Sequence, residues 1–350
     1  MPRKMGKIRV IMSSRILFDL ETADDVFKTK GIAAYTDFMR AVTAEHKAAY
    51  DPDIKARRLE EGIMLPFAKR LLAVNDNQKE SIVELIISCK DQSDTAGIIF
   101  ANLEAHGLGS VEMRISTCGN AITPQDLKAF GTDVFLTRNF KDAQTAINTG
   151  VASAQIFLPE TKKLMKAYNK AANRSIEEPP HIVFDGDAVA FGSSAEAFYR
   201  EHGLDHYRVE ESKQKHSSIE QGPFTNLLQK LTALNAEQPN GSPLFKLSLL
   251  TARGAEASTR LMTIFEEFGI RFNGFIICAG GSSKADVLKA YKPDLFLDDQ
   301  ETHLKESCLH CPTGLVPYHK DSAMAQFLSE KEARERMARI PSDPSPYGIG

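Results

Sequence analysis

The stretch His181-Ile182-Val183-Phe184-Asp185-Gly186-Asp187-Ala188-Val189-Ala190-Phe191 decides how this chain is read. A short apolar run of strand formers ends on two carboxylates one residue apart, and a second apolar run follows. Continuous apolar runs of this length fit strands buried on both faces of a parallel sheet. In open α/β sheets, ligands bind just beyond the carboxyl ends of the strands. Two like charges at such a half-buried edge cost folding energy unless something offsets them. A divalent cation that prefers oxygen ligands, with magnesium the first choice, is the simplest compensation.

The composition sets the frame around that stretch. At 350 residues the chain exceeds one typical core, so two domains are expected. Hydrophobic content of 42% with 25% charged residues is that of a soluble globular protein. A net charge of −3 provides no electrostatic footprint for nucleic acid. Few basic residues stand at the start (Arg3, Lys4, Lys7), and no apolar segment long enough for a signal peptide or membrane span follows them. Five cysteines in this length make no disulfide framework. A cytoplasmic location without a membrane partner is the expectation.

Outward from the opening stretch, strand and helix patterns alternate, which implies a parallel sheet. Ile8-Arg9-Val10-Ile11-Met12 runs into Ser13-Ser14-Arg15, and Ile82-Val83-Glu84-Leu85-Ile86-Ile87 runs into Ser88-Cys89-Lys90. Asp133-Val134-Phe135-Leu136 precedes Thr137-Arg138. Leu65 to Leu72 suggests a helix, with Pro66 tolerable only near its first turn. Several segments then recur in the second half. Gly31-Ile32-Ala33-Ala34-Tyr35 matches Gly203-Leu204-Asp205-His206-Tyr207, and Leu71-Leu72-Ala73-Val74-Asn75 matches Leu231-Thr232-Ala233-Leu234-Asn235. The run from Leu127 to Leu136 matches that from Leu288 to Leu297. The matches keep chain order, so one unit is expected to occur twice. The expected division is an α/β half over 1–158, a linker over 159–180 that closes on Pro179-Pro180, and a second α/β unit over 181–320. A C-terminal helix and a mobile, proline-rich tail follow over 321–350.

Three further features converge on Asp185 within the second unit. Phe245-Lys246-Leu247-Ser248-Leu249-Leu250 ends at Thr251-Ala252-Arg253, where a hydroxyl and backbone N–H groups suit a phosphate oxygen. Gly280-Gly281-Ser282-Ser283-Lys284 opens a helix and offers a lysine as a point charge. Asp294-Leu295-Phe296-Leu297 ends in Asp298 and Asp299. In this order the four pieces resemble the haloacid-dehalogenase (HAD) phosphohydrolase superfamily. Phe184-Asp185-Gly186-Asp187-Ala188-Val189, Gly222-Pro223-Phe224, Leu250-Thr251-Ala252-Arg253 and Leu297-Asp298-Asp299-Gln300 look more narrowly like the cytosolic 5′-nucleotidase family of type I. Ser13-Ser14-Arg15-Ile16-Leu17-Phe18-Asp19 and Thr313-Gly314-Leu315-Val316-Pro317-Tyr318 extend that likeness to about residues 6 to 320.

The resemblance implies an α/β fold: a HAD-like parallel sheet flanked by helices, a duplicated and degenerate N-terminal half, and a small helical cap inserted at 190–244. It implies hydrolysis of nucleoside 5′-monophosphates to nucleoside and phosphate through an aspartyl phosphate. Asp185 is then the nucleophile and Asp187 the acid that protonates the leaving oxygen and later activates water. Two residues along a strand point the same way, so both acids are expected to address one phosphate. Mg²⁺ is expected on Asp185, Asp187 and Asp298 with Asp299 assisting, while Thr251, Ala252, Arg253 and Lys284 hold the phosphoryl group. Lys289 is the alternative lysine, although Lys128 stands in its place in the first copy. Phe198, Tyr199, Tyr207 and Phe224 are candidates to stack a base, each with a core role as the alternative.

Aligning the copies puts Ser13 opposite Asp185, Arg15 opposite Asp187, Ser88 opposite Thr251, Thr137 opposite Asp298 and Arg138 opposite Asp299. The first copy thus lacks every metal-binding acid. Ser13, Ser14, Arg15 and Arg138 form either a second anion site, for a nucleotide effector or for part of the substrate, or a scaffold whose arginines pair locally. A zinc site at His303, Cys308, His310 and Cys311 lacks a second matching cysteine pair. The rival functions are the same chemistry on a sugar phosphate or other small phosphoester, and a nucleotide-binding regulator without turnover. Base and sugar preference and oligomeric state stay open, a homo-oligomer included.

Overall fold

The computed structural model describes residues 6–47, 59–76, 78–159, 161–172, 178–214, 217–238, 241–254 and 258–338. Its strands are β1 (Ile8–Ser13), β2 (Val83–Cys89), β3 (Met113–Ser116), β4 (Val134–Thr137), β5 (Ala152–Phe157), β6 (His181–Phe184), β7 (Lys246–Thr251), β8 (Ile276–Cys278), β9 (Leu295–Asp298) and β10 (Thr313–Leu315). All ten lie in one sheet, in the order β3-β2-β1-β4-β5-β10-β9-β6-β7-β8. Every pairing is parallel except that of β5 with β10. The apolar runs fall where burial demands them: every residue of β4, β6 and β9 is buried, while the edge strands β3 and β8 are half-buried with one exposed residue each.

Outward from the β5–β10 seam, the order is β5-β4-β1-β2-β3 on one side and β10-β9-β6-β7-β8 on the other. The two halves therefore share one topology and are related by a half-turn about the seam. Because the seam is antiparallel, the carboxyl ends of β1, β2 and β4 lie at the edge opposite those of β6, β7 and β9. One apolar core nonetheless serves both halves, with Val10, Phe67, Phe184 and Leu231 in a single cluster. The sheet runs without a break across both expected units.

The matched sequence segments fall on matched devices. The Asn75 side chain accepts from the N–H groups of Ile82 and Val83 and donates to the Val83 carbonyl. Asn235 does the same with Leu244 and Phe245. Asp133 receives the Arg9 N–H at 2.8 Å, and Asp294 receives that of His181 at 2.8 Å. Helices Glu21–Lys47 and Ser194–Lys213 are each broken by a glycine, at Gly31 (φ 81°, ψ −176°) and Gly203 (φ 80°, ψ 176°). Side chains bearing a positive φ near 80° are rarely tolerated, so glycine suits both kinks. The halves also exchange ion pairs: Arg70 reaches Asp294 at 2.6 Å, and Lys230 reaches Asp133 at 2.8 Å.

Several expectations need correction. Helix Thr225–Ala236 was placed in a cap, but its Leu227, Leu228, Leu231 and Leu234 are buried in the common core. Helix Ser194–Lys213 reaches the carboxyl edge of the second half through Glu211, which pairs with Arg253 beside Asp187. The linker contains a helix, Lys162–Ala172, whose Tyr168 hydroxyl donates to the Cys308 carbonyl and whose Asn169 donates to that of Gly62. The expected tail beyond residue 338, the basic residues Arg3 and Lys4, and most of the polar segment from Ala44 to Glu61 lie outside the described residues. None of the five cysteines is in a disulfide. No helix among the described residues is long and apolar enough to cross a membrane.

Candidate active site

β6 ends at Phe184, so Asp185 and Asp187 do not alternate along a strand as the sequence suggested. They stand on the tight turn that follows, Gly186–Ala190, in which Ala188 adopts a left-handed conformation (φ 59°). That conformation costs a non-glycine residue roughly 1–2 kcal/mol. Closure of the turn by the Ala190 N–H on the Asp185 carbonyl and the Phe191 N–H on that of Gly186 offsets it. The Gly186 N–H donates to Asp185 Oδ1 at 2.6 Å, which fixes the carboxyl. A Cβ on Gly186 would lie 2.7 Å from the Phe191 ring and 3.1 Å from Thr251 Oγ1.

The neighbouring strand ends complete the cluster. Lys284, at the start of helix Lys284–Tyr291, is buried with its Nζ 2.8 Å from Asp185 Oδ2 and 2.7 Å from Asp298 Oδ2. Lys289 is exposed on the same helix. Asp298 ends β9 with no exposure, and its Oδ1 accepts the Gln300 N–H at 2.8 Å. Asp299 takes a hydrogen bond from the Tyr318 hydroxyl at 2.6 Å, while its Oδ1 is buried with no partner. Thr251, at the end of β7, is buried, and Ala252 beside it is exposed.

Asp187 is gripped by Arg253, whose Nε and Nη2 donate to its two oxygens at 2.8 and 2.7 Å. Arg253 Nη1 donates to Glu211 Oε2 at 2.7 Å, and Arg260 contacts the other Glu211 oxygen. Glu211 belongs to the kinked helix Ser194–Lys213, so that helix is tied to the site through a buried chain of alternating charges. The bidentate fork is the strong form of an arginine–carboxylate contact.

The electrostatics of the cluster are those of an acid-rich hole. Burial pushes the Asp185 carboxyl up to about 7 against the opposing charge of Lys284. Burial, then the charges of Glu196, Asp298 and Asp185, lifts Asp299 well above the usual carboxylate range. Burial raises Asp298 too, but Lys284 and His303 outweigh it and hold that carboxyl low. Asp185, Asp298 and His303 offer ligand atoms within 4.8 Å of one another. Two buried acids on one lysine, with His303 beside them and the orphaned Asp299 Oδ1 of the next residue, fit a hard divalent cation.

His303 enters this group through its Nδ1, 3.1 Å from Asp298 Oδ2. In sequence it stood out only as a member of a zinc motif with Cys308, His310 and Cys311. Among the described residues that set forms no ion-holding cluster, because Cys308 and Cys311 turn their thiols to the carbonyls of Lys305 and Ser307. The spacing that does matter is a histidine one turn into the helix that follows Asp298.

Phe224 is not a base contact. It is fully buried and packs edge-on against Phe184 at 6.0 Å, leaving no face for a ligand. Tyr199 and Tyr207 instead form an edge-to-face pair across the Gly203 kink at 5.8 Å. Phe198 packs on His202 at 4.4 Å.

In the first half, Ser13 ends β1 and Thr137 ends β4 as aligned. The sheet register corrects the third pairing. β2 pairs with β3 through Cys89–Ser116 as β7 pairs with β8 through Thr251–Cys278, so Cys89, and not Ser88, is the counterpart of Thr251. Arg15 pairs with Glu21 at 2.8 Å and Asp24 at 3.0 Å, and Arg138 donates to the Ile156 carbonyl at 2.7 Å. These residues face the edge opposite Asp185, so they cannot complete the same pocket.

A sheet edge that joins buried acids, a buried lysine and a threonine has the make-up of a cation-assisted α/β hydrolase. A family model described as 5′-nucleotidase matches residues 1–323, and the chain belongs to that family of hydrolases. It is similar to human cytosolic 5′-nucleotidase 1B, with 24% identity over 315 residues that cover 87% of this chain and 48% of that protein. The chain thus spans about half the length of that curated relative.

Proposed function

We propose that this chain is a Mg²⁺-dependent 5′-nucleotidase of HAD-like architecture that acts in the cytoplasm on nucleoside 5′-monophosphates. The observation that carries the reading is the direct contact of buried Lys284 with both Asp185 and Asp298 at adjoining strand ends. Asp185, the Asp187 carbonyl, Asp298 and Asp299 would hold the ion, with His303 beside Asp298. Bound there, it supplies the positive charge that keeps Asp185 ionised and screens the approach of an anion to an anion.

The protein's own groups carry the reaction. An Asp185 oxygen attacks phosphorus in line, the bond from phosphorus to the ribose 5′ oxygen breaks, and Asp187 delivers a proton to that oxygen. Asp187 then accepts a proton from water as the water oxygen attacks the phosphoryl group. The bond to Asp185 breaks and phosphate leaves. Lys284, Thr251 and the backbone around Ala252 hold phosphoryl oxygens. Arg253 must let go of Asp187 before that acid can donate, which leaves its guanidinium free to turn to the phosphate. Helix Ser194–Lys213, with the Tyr199–Tyr207 pair, is the cap over the nucleoside.

The test is phosphate release in magnesium across a panel of nucleoside 5′-monophosphates and sugar phosphates. Release from the nucleotides, with the sugar phosphates at least tenfold poorer, is the expected result. The reverse order would transfer the chemistry to the sugar-phosphate rival, and no release from any would leave a nucleotide-binding regulator. Asp185→Asn is expected to lower turnover at least a thousandfold without lowering the melting temperature, because burial already favours the uncharged side chain there. Appreciable activity in that variant overturns the aspartyl-phosphate route.

A further inference from the structure

We propose that the first half carries a second ligand pocket, which takes a nucleoside phosphate without a metal ion. A cavity of about 380 Å³ opens at the carboxyl ends of β1, β2 and β4. That volume lies within the usual range for small-molecule sites, roughly 300–1,000 Å³. By strand order and register it is the counterpart of the catalytic edge.

Two features of the catalytic half persist in it. Phe27 and Tyr35 meet edge to face at 5.9 Å and 84° across the Gly31 kink, as Tyr199 and Tyr207 do at 5.8 Å and 75° across Gly203. Phe27 and Ile32 are both more than two-fifths exposed, and with Tyr35 they line the cavity. A flat ring has an apolar seat here, with Tyr35 fixed by its packing on the core and its hydroxyl on Asp91.

The chemistry at the strand ends is inverted. Ser13, Thr137 and Arg138 replace Asp185, Asp298 and Asp299. The acids that do line the cavity are already engaged, Asp24 with Arg15 and Lys28, Asp142 with Lys90, and Asp91 with the Tyr35 hydroxyl, and among the described residues they form no ion-holding cluster. Ser13 Oγ, Arg15 Nε and Arg138 Nε are all buried without hydrogen-bond partners, and all three residues line the cavity. Three orphaned donors in one place call for an acceptor-rich ligand, and a phosphate is the acceptor that matches them. Glu21 fills that role internally: its two oxygens lie 2.8 Å from Arg15 and 3.5 Å from Arg138, while its side chain stays 38% exposed. A phosphate entering the pocket would displace that carboxylate.

The choice of a nucleoside phosphate rests on the same chemical class as the catalytic reading, but the test does not need turnover. Adenosine 5′-monophosphate is added in EDTA to the full chain carrying Asp185→Asn, and amide hydrogen exchange is followed by mass spectrometry. Slowed exchange over residues 13–35 and 134–142 is expected. Glu21→Gln should tighten this binding at least threefold, since it removes the competing charge, and Arg138→Gln should weaken it at least tenfold. Should Arg138→Gln lower the melting temperature, the Glu21→Gln result decides alone. Protection confined to residues 185–190 and 251–254, no protection anywhere, or an affinity unmoved by Glu21→Gln overturns the proposal. Each of these leaves the phosphate-release assay, and the catalytic reading, untouched.

Discussion

His181 opens β6 directly below the catalytic turn, and its position ties stability to pH. Its Nε2 lies 2.9 Å from Ser248 Oγ. Burial, then the charges of Lys246 and Arg70, pushes its pKa down to about 4 from an ordinary value near 6.5. The unfolded chain therefore binds a proton between pH 6.5 and 4 that the folded chain refuses, so stability is full above 6.5 and falls as pH drops through this window. A shift of that size corresponds to at most about 3 kcal/mol. Thermal melts of the wild type and His181→Asn from pH 8 to pH 4 should diverge in slope only below 6.5, with the variant flatter. Residues of this kind are poorly legible in sequence. The acids at Asp185, Asp187, Asp298 and Asp299 could be read because each ends an apolar run. Glu211 and Arg260 could not, since their link to Arg253 and Asp187 crosses tens of residues and leaves no local period. His303 stands in sequence beside the Cys308–Cys311 pair, whereas its approach to Asp298 depends on how helix Glu301–Ser307 turns after β9, which no local spacing shows.

Among the elements, the strands that sequence reading found are the ones with long apolar runs: β1, β2, β4, β6, β7 and β9. β3 and β8 are short edges with mixed exposure, and β5 is built largely of small residues in Ala152-Ser153-Ala154. β10 has three residues, one of them Gly314, where a Cβ would come within 2.9 Å of Ala154. None of these carries an apolar period long enough to mark a strand, and the β5–β10 pairing joins segments more than 150 residues apart. Helix Thr225–Ala236 was misplaced for a related reason, since an insertion between two motifs need not leave the core. The duplicated asparagines allow a prediction at this scale. Asn75→Ala and Asn235→Ala each orphan two N–H groups at a strand start, while the Val83 and Phe245 carbonyls keep the Ser81 hydroxyl and the Asn273 amide as donors, and each should cost about 1–3 kcal/mol. Urea unfolding of the two variants checks whether the devices are equivalent. A loss at one site and none at the other would show that the shared geometry does not carry shared weight.

In the whole molecule, the two reciprocal ion pairs join the halves with unequal force. Arg70 and Asp294 are both 6% exposed, whereas Lys230 and Asp133 are 32% and 22% exposed. Arg70→Met leaves a buried carboxylate without its partner and should destabilise the protein by about 3–5 kcal/mol. Lys230→Met should cost about 0–1 kcal/mol, because water screens the pair it breaks. Equilibrium unfolding in low and high salt separates them: only the Lys230 contribution should fade as salt rises.

The antiparallel seam sets how the two mouths can communicate. They open on opposite sides of the sheet, so a molecule in one never collides with a molecule in the other. Occupants of the two mouths cannot exclude each other sterically, whatever their chemistry. Any influence of the first half on the second has to travel through three residue pairs of the seam, the crossed ion pairs and the common core. In a kinetic assay it will take the form of a changed turnover number or a mixed pattern, with saturating substrate unable to abolish it.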